Sequence, residues 1–137
     1  MPLDARRIAS TLGRHLAALA AGIASGAMLV TAFMYTSYGA GAGLVYEGLF
    51  AVSLYYGAAI AAVCVPIWLI LAKVGWDRAP AAAALGFAAT GAFLLLTYAA
   101  GSHERLDLMA YTVLPYALCG AVAALVTWWV GRRLAKA

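Results

Sequence analysis

Six side chains of this chain could together hold a ligand: Glu47, Tyr55, Tyr56, Tyr98, Tyr111 and Tyr116. Each lies in or next to one of the long apolar runs of the sequence, near the end of that run that is expected to face one side of a membrane. Their distances along the chain from that end are comparable. A carboxylate and several phenols could hydrogen-bond a lipid headgroup, a quinone head or a small polar solute above apolar walls. The opposing interpretation is an aromatic belt, whose tyrosines sit at a membrane interface and bond neighbouring carbonyls.

Four long apolar runs must position these side chains. They cover residues 15–36, 48–73, 80–100 and 110–132, and each is close to the ~20 residues that cross hydrocarbon as a helix. Hydrophobic residues make up 66% of the chain and charged residues 10%, too few to cover a water-soluble domain. Because backbone groups in lipid must pair within their own segment, each run is expected to be helical. The sequence predicts an all-α, integral membrane four-helix transmembrane bundle, a single transmembrane domain over residues 1–137 with short loops.

The cations are distributed unevenly between these runs. Every Lys and Arg except Arg105 lies before the first run, from the last residue of the second run to the start of the third, or from the last residue of the fourth run onward. Cytoplasmic segments carry an excess of Lys and Arg, so both termini are predicted to be cytoplasmic. The net charge of +4 would suggest nucleic acid in a soluble domain, but here we expect membrane lipids and no nucleic acid. The Ala- and Gly-rich runs favour a bacterial inner membrane, with a eukaryotic organelle as the alternative.

The N-terminal segment has two alternative interpretations. Arg6, Arg7 and Arg14 make a basic start, so the first run could be a signal peptide, although it is longer than the usual apolar core of one. Residues 3–14 have mixed polarity and could form a short interfacial helix. The simpler alternative is a basic tail that only anchors the topology.

Glycine and proline positions give predictions about packing. Small residues recur every fourth position in all four runs, which arises easily by chance in a chain rich in Ala and Gly. Only Gly22 and Gly26 are therefore predicted as a GxxxG helix contact, with a helix of this chain or of a partner. Pro66 and Pro115 lie inside runs, and each is predicted to kink its helix. One interpretation is that the kink only improves the packing of the helix against its neighbours. The alternative is that it forms a hinge or part of the wall of a cavity.

Motifs of known chemistry are not found in the sequence, which contains no HExxH, GxSxG, CxxC or phosphate-binding loop. We therefore expect no catalytic residue, no cofactor and no metal. Two interpretations remain for His103, Asp107, Glu47 and Glu104: they could bind a metal ion, or they could be charged loop residues in contact with water. The second interpretation is favoured. No ionisable residue occupies the middle of a run, which argues against proton-coupled transport.

Three functional classes remain. The first is a non-catalytic accessory or structural subunit of a larger membrane complex, favoured by the short connections and the missing chemistry. The second is a small transporter or channel that works as a homo-oligomer, since four helices enclose little space. The third is a lipid- or quinone-binding protein or enzyme that uses the tyrosine-lined cleft.

Overall fold

The computed structural model contains four α-helices joined by short segments. It describes the backbone of residues 2–38, 43–101 and 106–137, and the side chains of residues 7–37, 48–97, 99–100 and 113–137. The helices are α1 (Pro2–Tyr38), α2 (Gly43–Lys73), α3 (Ala79–Gly101) and α4 (Leu106–Lys136). Each contains a stretch long and apolar enough to cross a membrane. The prediction of an all-helical chain with four such helices is confirmed.

Helix α1 is longer than the apolar run that predicted it. It extends without interruption over 37 residues, so the segment 3–14 is helical and continuous with the run. At 1.5 Å per residue such a helix is about 55 Å long, well beyond the ~30 Å of a hydrocarbon core. One end of α1 must therefore project past any single apolar layer that the rest of the helix crosses.

The four helices pack in a ring, but the packing is uneven. α4 packs extensively against both α3 and α1. α2 packs less closely against α1 and least of all against α3. No residue from 48–73 in α2 is buried. α4 thus makes the most extensive contacts with neighbouring helices, and α2 is the most peripheral helix.

The buried core consists of small side chains. Among the described residues, the buried hydrophobic side chains are Ala18, Ala27, Ala82, Val113 and Ala117. No polar or charged side chain is buried in the described part, and large apolar side chains are exposed on all four helices. Helices in lipid associate through close backbone approach at small residues, whereas soluble bundles bury large side chains. The core is therefore of the kind that suits an apolar surrounding.

The connection between α2 and α3 is a tight turn built on Gly75. Gly75 has a φ of 86°, a left-handed conformation that other residues adopt at a cost. The Trp76 N–H donates to the Leu71 carbonyl at 2.9 Å, and the Gly75 N–H donates to the Ala72 carbonyl at 3.1 Å. These two bonds make a Schellman motif, which satisfies the last carbonyls of α2. The turn sets the direction of the chain between α2 and α3, and with it the position of Asp77.

Candidate functional site

The described tyrosines of the predicted cleft belong to two groups of contacts. Tyr55 and Tyr56 lie edge to face, with ring centroids 5.8 Å apart, and Tyr56 also contacts Phe93 of α3 at 5.5 Å. Tyr55 is 75% exposed, so its phenol lies on the outside of the bundle. This group marks the seam between α2 and α3, which is the least closely packed seam of the ring.

Tyr116 is held on the other side of the bundle, between α4 and α1. Its hydroxyl lies 2.9 Å from the Met34 sulfur, to which it donates, and its ring lies edge to face with that of Phe33, with centroids 6.0 Å apart. The partly buried phenol of Tyr116 thus has a hydrogen-bond partner, as a hydroxyl shielded from water requires.

The other three predicted ligand-binding side chains, Glu47, Tyr98 and Tyr111, lie outside the residues whose side chains are described. The structure therefore brings Tyr55 and Tyr56 together and gives Tyr116 contacts to α1. The six-residue cleft stays a prediction.

Gly22 and Gly26, the glycines of the predicted GxxxG pair, lie on the side of α1 that approaches α4. A Cβ on Gly22 would lie 2.7 Å from the Ala123 carbonyl oxygen and would also collide with the Thr127 hydroxyl. A Cβ on Gly26 would lie 3.0 Å from the Ala123 Cβ. Thr127 in turn donates to the Ala123 carbonyl at 3.0 Å, so its hydroxyl is satisfied by its own helix. The two glycines are thus two of the places where α4 approaches α1 closely.

A second close contact joins α3 to α4, and it was not predicted. A Cβ on Gly120 would lie 2.7 Å from the Gly86 carbonyl oxygen and would collide with the Thr90 side chain. A Cβ on Gly86 would lie 2.6 Å from the Ala124 Cβ. Both residues belong to small-residue repeats that the sequence could not separate from chance. These repeats can be told from chance only when α3 and α4 are seen packed together, which the sequence of either run alone does not show.

Pro66 and Pro115 lie inside α2 and α4, and both helices continue through them. Each proline removes one intrahelical donor. Pro66 is exposed, whereas Pro115 is partly buried next to Tyr116. The kinks assigned to these positions stay predictions.

A polar cluster that the sequence did not indicate joins the α2–α3 turn to the end of α4. The Trp128 indole Nε1 donates to Asp77 Oδ1 at 2.9 Å, and Arg132 Nη2 lies 3.5 Å from Asp77 Oδ2. Arg132 also donates to the Asp77 carbonyl at 3.2 Å and stacks over Trp128, 4.9 Å from the ring centroid. The sequence did contain one indication of this cluster: Trp128 and Arg132 are four residues apart on a helix, so the guanidinium can stack on the indole ring.

The same end of the bundle also joins α1 to α4. Arg14 Nη1 donates to the Leu134 carbonyl at 3.3 Å, which places Arg14, in the N-terminal half of α1, beside the end of α4. This bond satisfies one of the last carbonyls of α4, and a cation there is favoured by the helix dipole. The cations near both chain ends and in the α2–α3 turn therefore lie at one end of the bundle.

Among the described residues, no three His, Cys, Asp or Glu side chains come together as a metal site would require. His103, Glu104, Asp107 and Glu47, which the sequence offered as metal ligands, lie outside the described side chains.

The fold and its contacts define a class: a bundle of four helices, each long and apolar enough to cross a membrane, with close contacts at small residues. No protein-family model, no curated protein and no solved structure matches this chain.

Proposed function

We propose that this chain is a multi-pass protein of a bacterial inner membrane with both termini in the cytoplasm. The Arg14 bond to α4 and the Arg132 bonds to Asp77 support this, because they gather both chain ends and the α2–α3 turn at one end. Trp76, Trp128 and Trp129 lie at that end too, where indole rings are favoured at a membrane interface. A dense set of cations with few acids is typical of a cytoplasmic face.

Cysteine labelling in whole cells tests the orientation. In a chain with Cys64 and Cys119 replaced by Ala, Gly41→Cys should react with a membrane-impermeant thiol reagent on intact cells. Lys136→Cys should react only after the membrane is permeabilised. The reverse pattern would overturn the orientation, and recovery of the chain in the soluble fraction would overturn the membrane location.

Within this membrane, the chain acts as a non-catalytic accessory subunit that docks on a larger membrane protein through α2. The observation that carries this proposal is the outward face of α2. Ala51, Ala58, Ala59 and Ala62 are exposed there, between large apolar side chains. Small residues let a second helix approach closely, whereas they offer few van der Waals contacts to lipid chains.

The test is extraction of the tagged native protein in a mild detergent, followed by native mass spectrometry of everything that remains bound. We expect an unrelated, larger membrane protein in stoichiometric amount. Ala62→Leu should release that partner, because the added side chain holds the two helices apart. Ala88→Leu, at an exposed position of α3, is the matched control and should leave the complex intact.

Two results would overturn the accessory role. A homo-oligomer with no foreign subunit would favour the small transporter or channel. A chain that carries only a small molecule would favour the lipid- or quinone-binding alternative, and loss of that molecule in Tyr56→Phe would assign it to the aromatic group between α2 and α3.

A further inference from the structure

The outer face of α4 carries an open apolar groove near the basic end of the bundle. The groove has a volume of about 290 Å³ and is lined by Val122, Leu125, Val126, Trp128 and Trp129. All five residues belong to α4, so no neighbouring helix fills the groove. From residue 122 to residue 129 it follows the helix for about 10 Å at 1.5 Å per residue.

A cation stands at the end of this groove. Arg133 follows Trp129 by four residues, so both lie on the face of α4 that the groove occupies. The Arg133 guanidinium carbon lies 4.9 Å from the centroid of the Trp129 ring. Lys136 comes three residues later on the same face, and both cations are exposed.

The neighbouring Arg132 differs from Arg133 in a way that indicates a binding role for Arg133. Arg132 is already paired, through one bond to the Asp77 carbonyl and an ion pair with its carboxylate. Within the described part of the chain, Arg133 makes no hydrogen bond and no ion pair, and only the Trp129 ring contacts its charge. Its five N–H donors are therefore available to an anionic group from outside the chain.

We propose that this groove is a binding site for an anionic phospholipid. One acyl chain lies along residues 122–129, and the phosphate accepts hydrogen bonds from the Arg133 guanidinium, with Lys136 adding a second positive charge. The two cations favour an anionic lipid over a zwitterionic one, because a zwitterionic headgroup carries a positive charge of its own, which would lie close to Arg133 and Lys136. The Trp129 ring holds the guanidinium at the depth of the phosphate. This inference rests on the proposed membrane location.

The experiment is a lipid titration of the purified, delipidated full chain in detergent, followed by native mass spectrometry. Phosphatidylglycerol and phosphatidylcholine with identical acyl chains are the two probes. Wild-type protein should bind the first phosphatidylglycerol more tightly than the first phosphatidylcholine. Arg133→Gln should weaken phosphatidylglycerol binding about fivefold, the effect of one cation near an anionic lipid, and weaken phosphatidylcholine binding less, because choline offsets the charge of the same phosphate.

Two further variants separate charge from shape. Lys73→Gln removes one exposed positive charge from the same end of the bundle, at the end of α2, and should leave the phosphatidylglycerol affinity within about twofold. Val126→Trp fills the groove and keeps every charge, so binding of both lipids should weaken while the preference between them remains.

Three outcomes would overturn the site. They are an equal loss in Arg133→Gln and Lys73→Gln, no preference in the wild type, and full displacement of phosphatidylglycerol by millimolar inorganic phosphate. A chain that stays soluble without detergent and binds neither lipid would instead contradict the membrane location, so the two failures are distinguishable.

Discussion

α4 and α2 are both helices of 31 residues with one internal proline, yet they occupy opposite positions in the bundle. α4 is packed on two faces, whereas α2 has no buried residue from 48–73. Hydrophobicity does not explain the difference, because α2 is the more apolar of the two. The position of the small residues does: α4 turns Gly120 toward α3 and Ala123 toward α1, whereas α2 leaves alanines outside. Where every surface is apolar, close approach decides which helices pair.

The largest effect is expected at the α3–α4 contact. Gly120→Ala should destabilise the bundle by about 2 kcal/mol or more, because the methyl group meets the Gly86 backbone, which cannot rotate away. Gly48→Ala in α2 is the control, since a Cβ there has nothing within 4 Å. Unfolding in mixed detergent micelles measures both. Equal effects of the two variants would show that packing on α4 is not tighter than on α2.

A smaller loss is expected where α1 meets α4. Gly22→Ala should cost about 1 to 2 kcal/mol, because its methyl group also meets a backbone carbonyl, that of Ala123 at 2.7 Å. The loss is smaller than at Gly120 because the threonine Cβ beside it lies 3.1 Å away, whereas the one beside Gly120 lies 2.7 Å away. Gly26→Ala should cost less, since its nearest neighbour is the Ala123 Cβ at 3.0 Å. The same unfolding measurement ranks them. If Gly26→Ala proved the more damaging, the register of α1 against α4 would be different from the one described.

The attachment of the α2–α3 turn to α4 is testable by a double-mutant cycle. Asp77→Ala and Trp128→Phe should each destabilise the bundle, with a coupling energy of about 1 kcal/mol for their hydrogen bond. The ion pair of Asp77 with Arg132 should add less than ~1 kcal/mol, because both side chains are about half exposed. Additive effects of the two changes would contradict the bond at 2.9 Å.

The smallest effect is expected on α2 itself. Gly57→Ala should change the free energy of unfolding by less than about 0.5 kcal/mol, because its methyl group meets the Ile23 side chain and no backbone atom, with Cγ2 at 3.1 Å and Cβ at 3.9 Å. A loss as large as that of Gly120→Ala would mean that α2 is as tightly attached as α4.

The sequence predicts the four helices because length and apolarity alone identify them. It also predicts Gly22 and Gly26 as a contact, since two glycines at that spacing stand out even in this composition. It does not predict their partner, because which face of α4 meets α1 depends on the register between helices. The Gly86–Gly120 contact was missed because each repeat is ordinary until it is paired. The Asp77 cluster was missed because Trp128 also fits an interfacial belt, and nothing in the sequence places residue 77 beside it.

The small-residue core also has a consequence for entropy. A buried Leu or Met loses rotamer freedom when helices associate, whereas Ala and Gly have none to lose. The seams at Ala18, Ala82 and Ala117 therefore close with almost no side-chain entropy opposing them. A fixed arrangement of helices can in this way be maintained by contacts that bury little area.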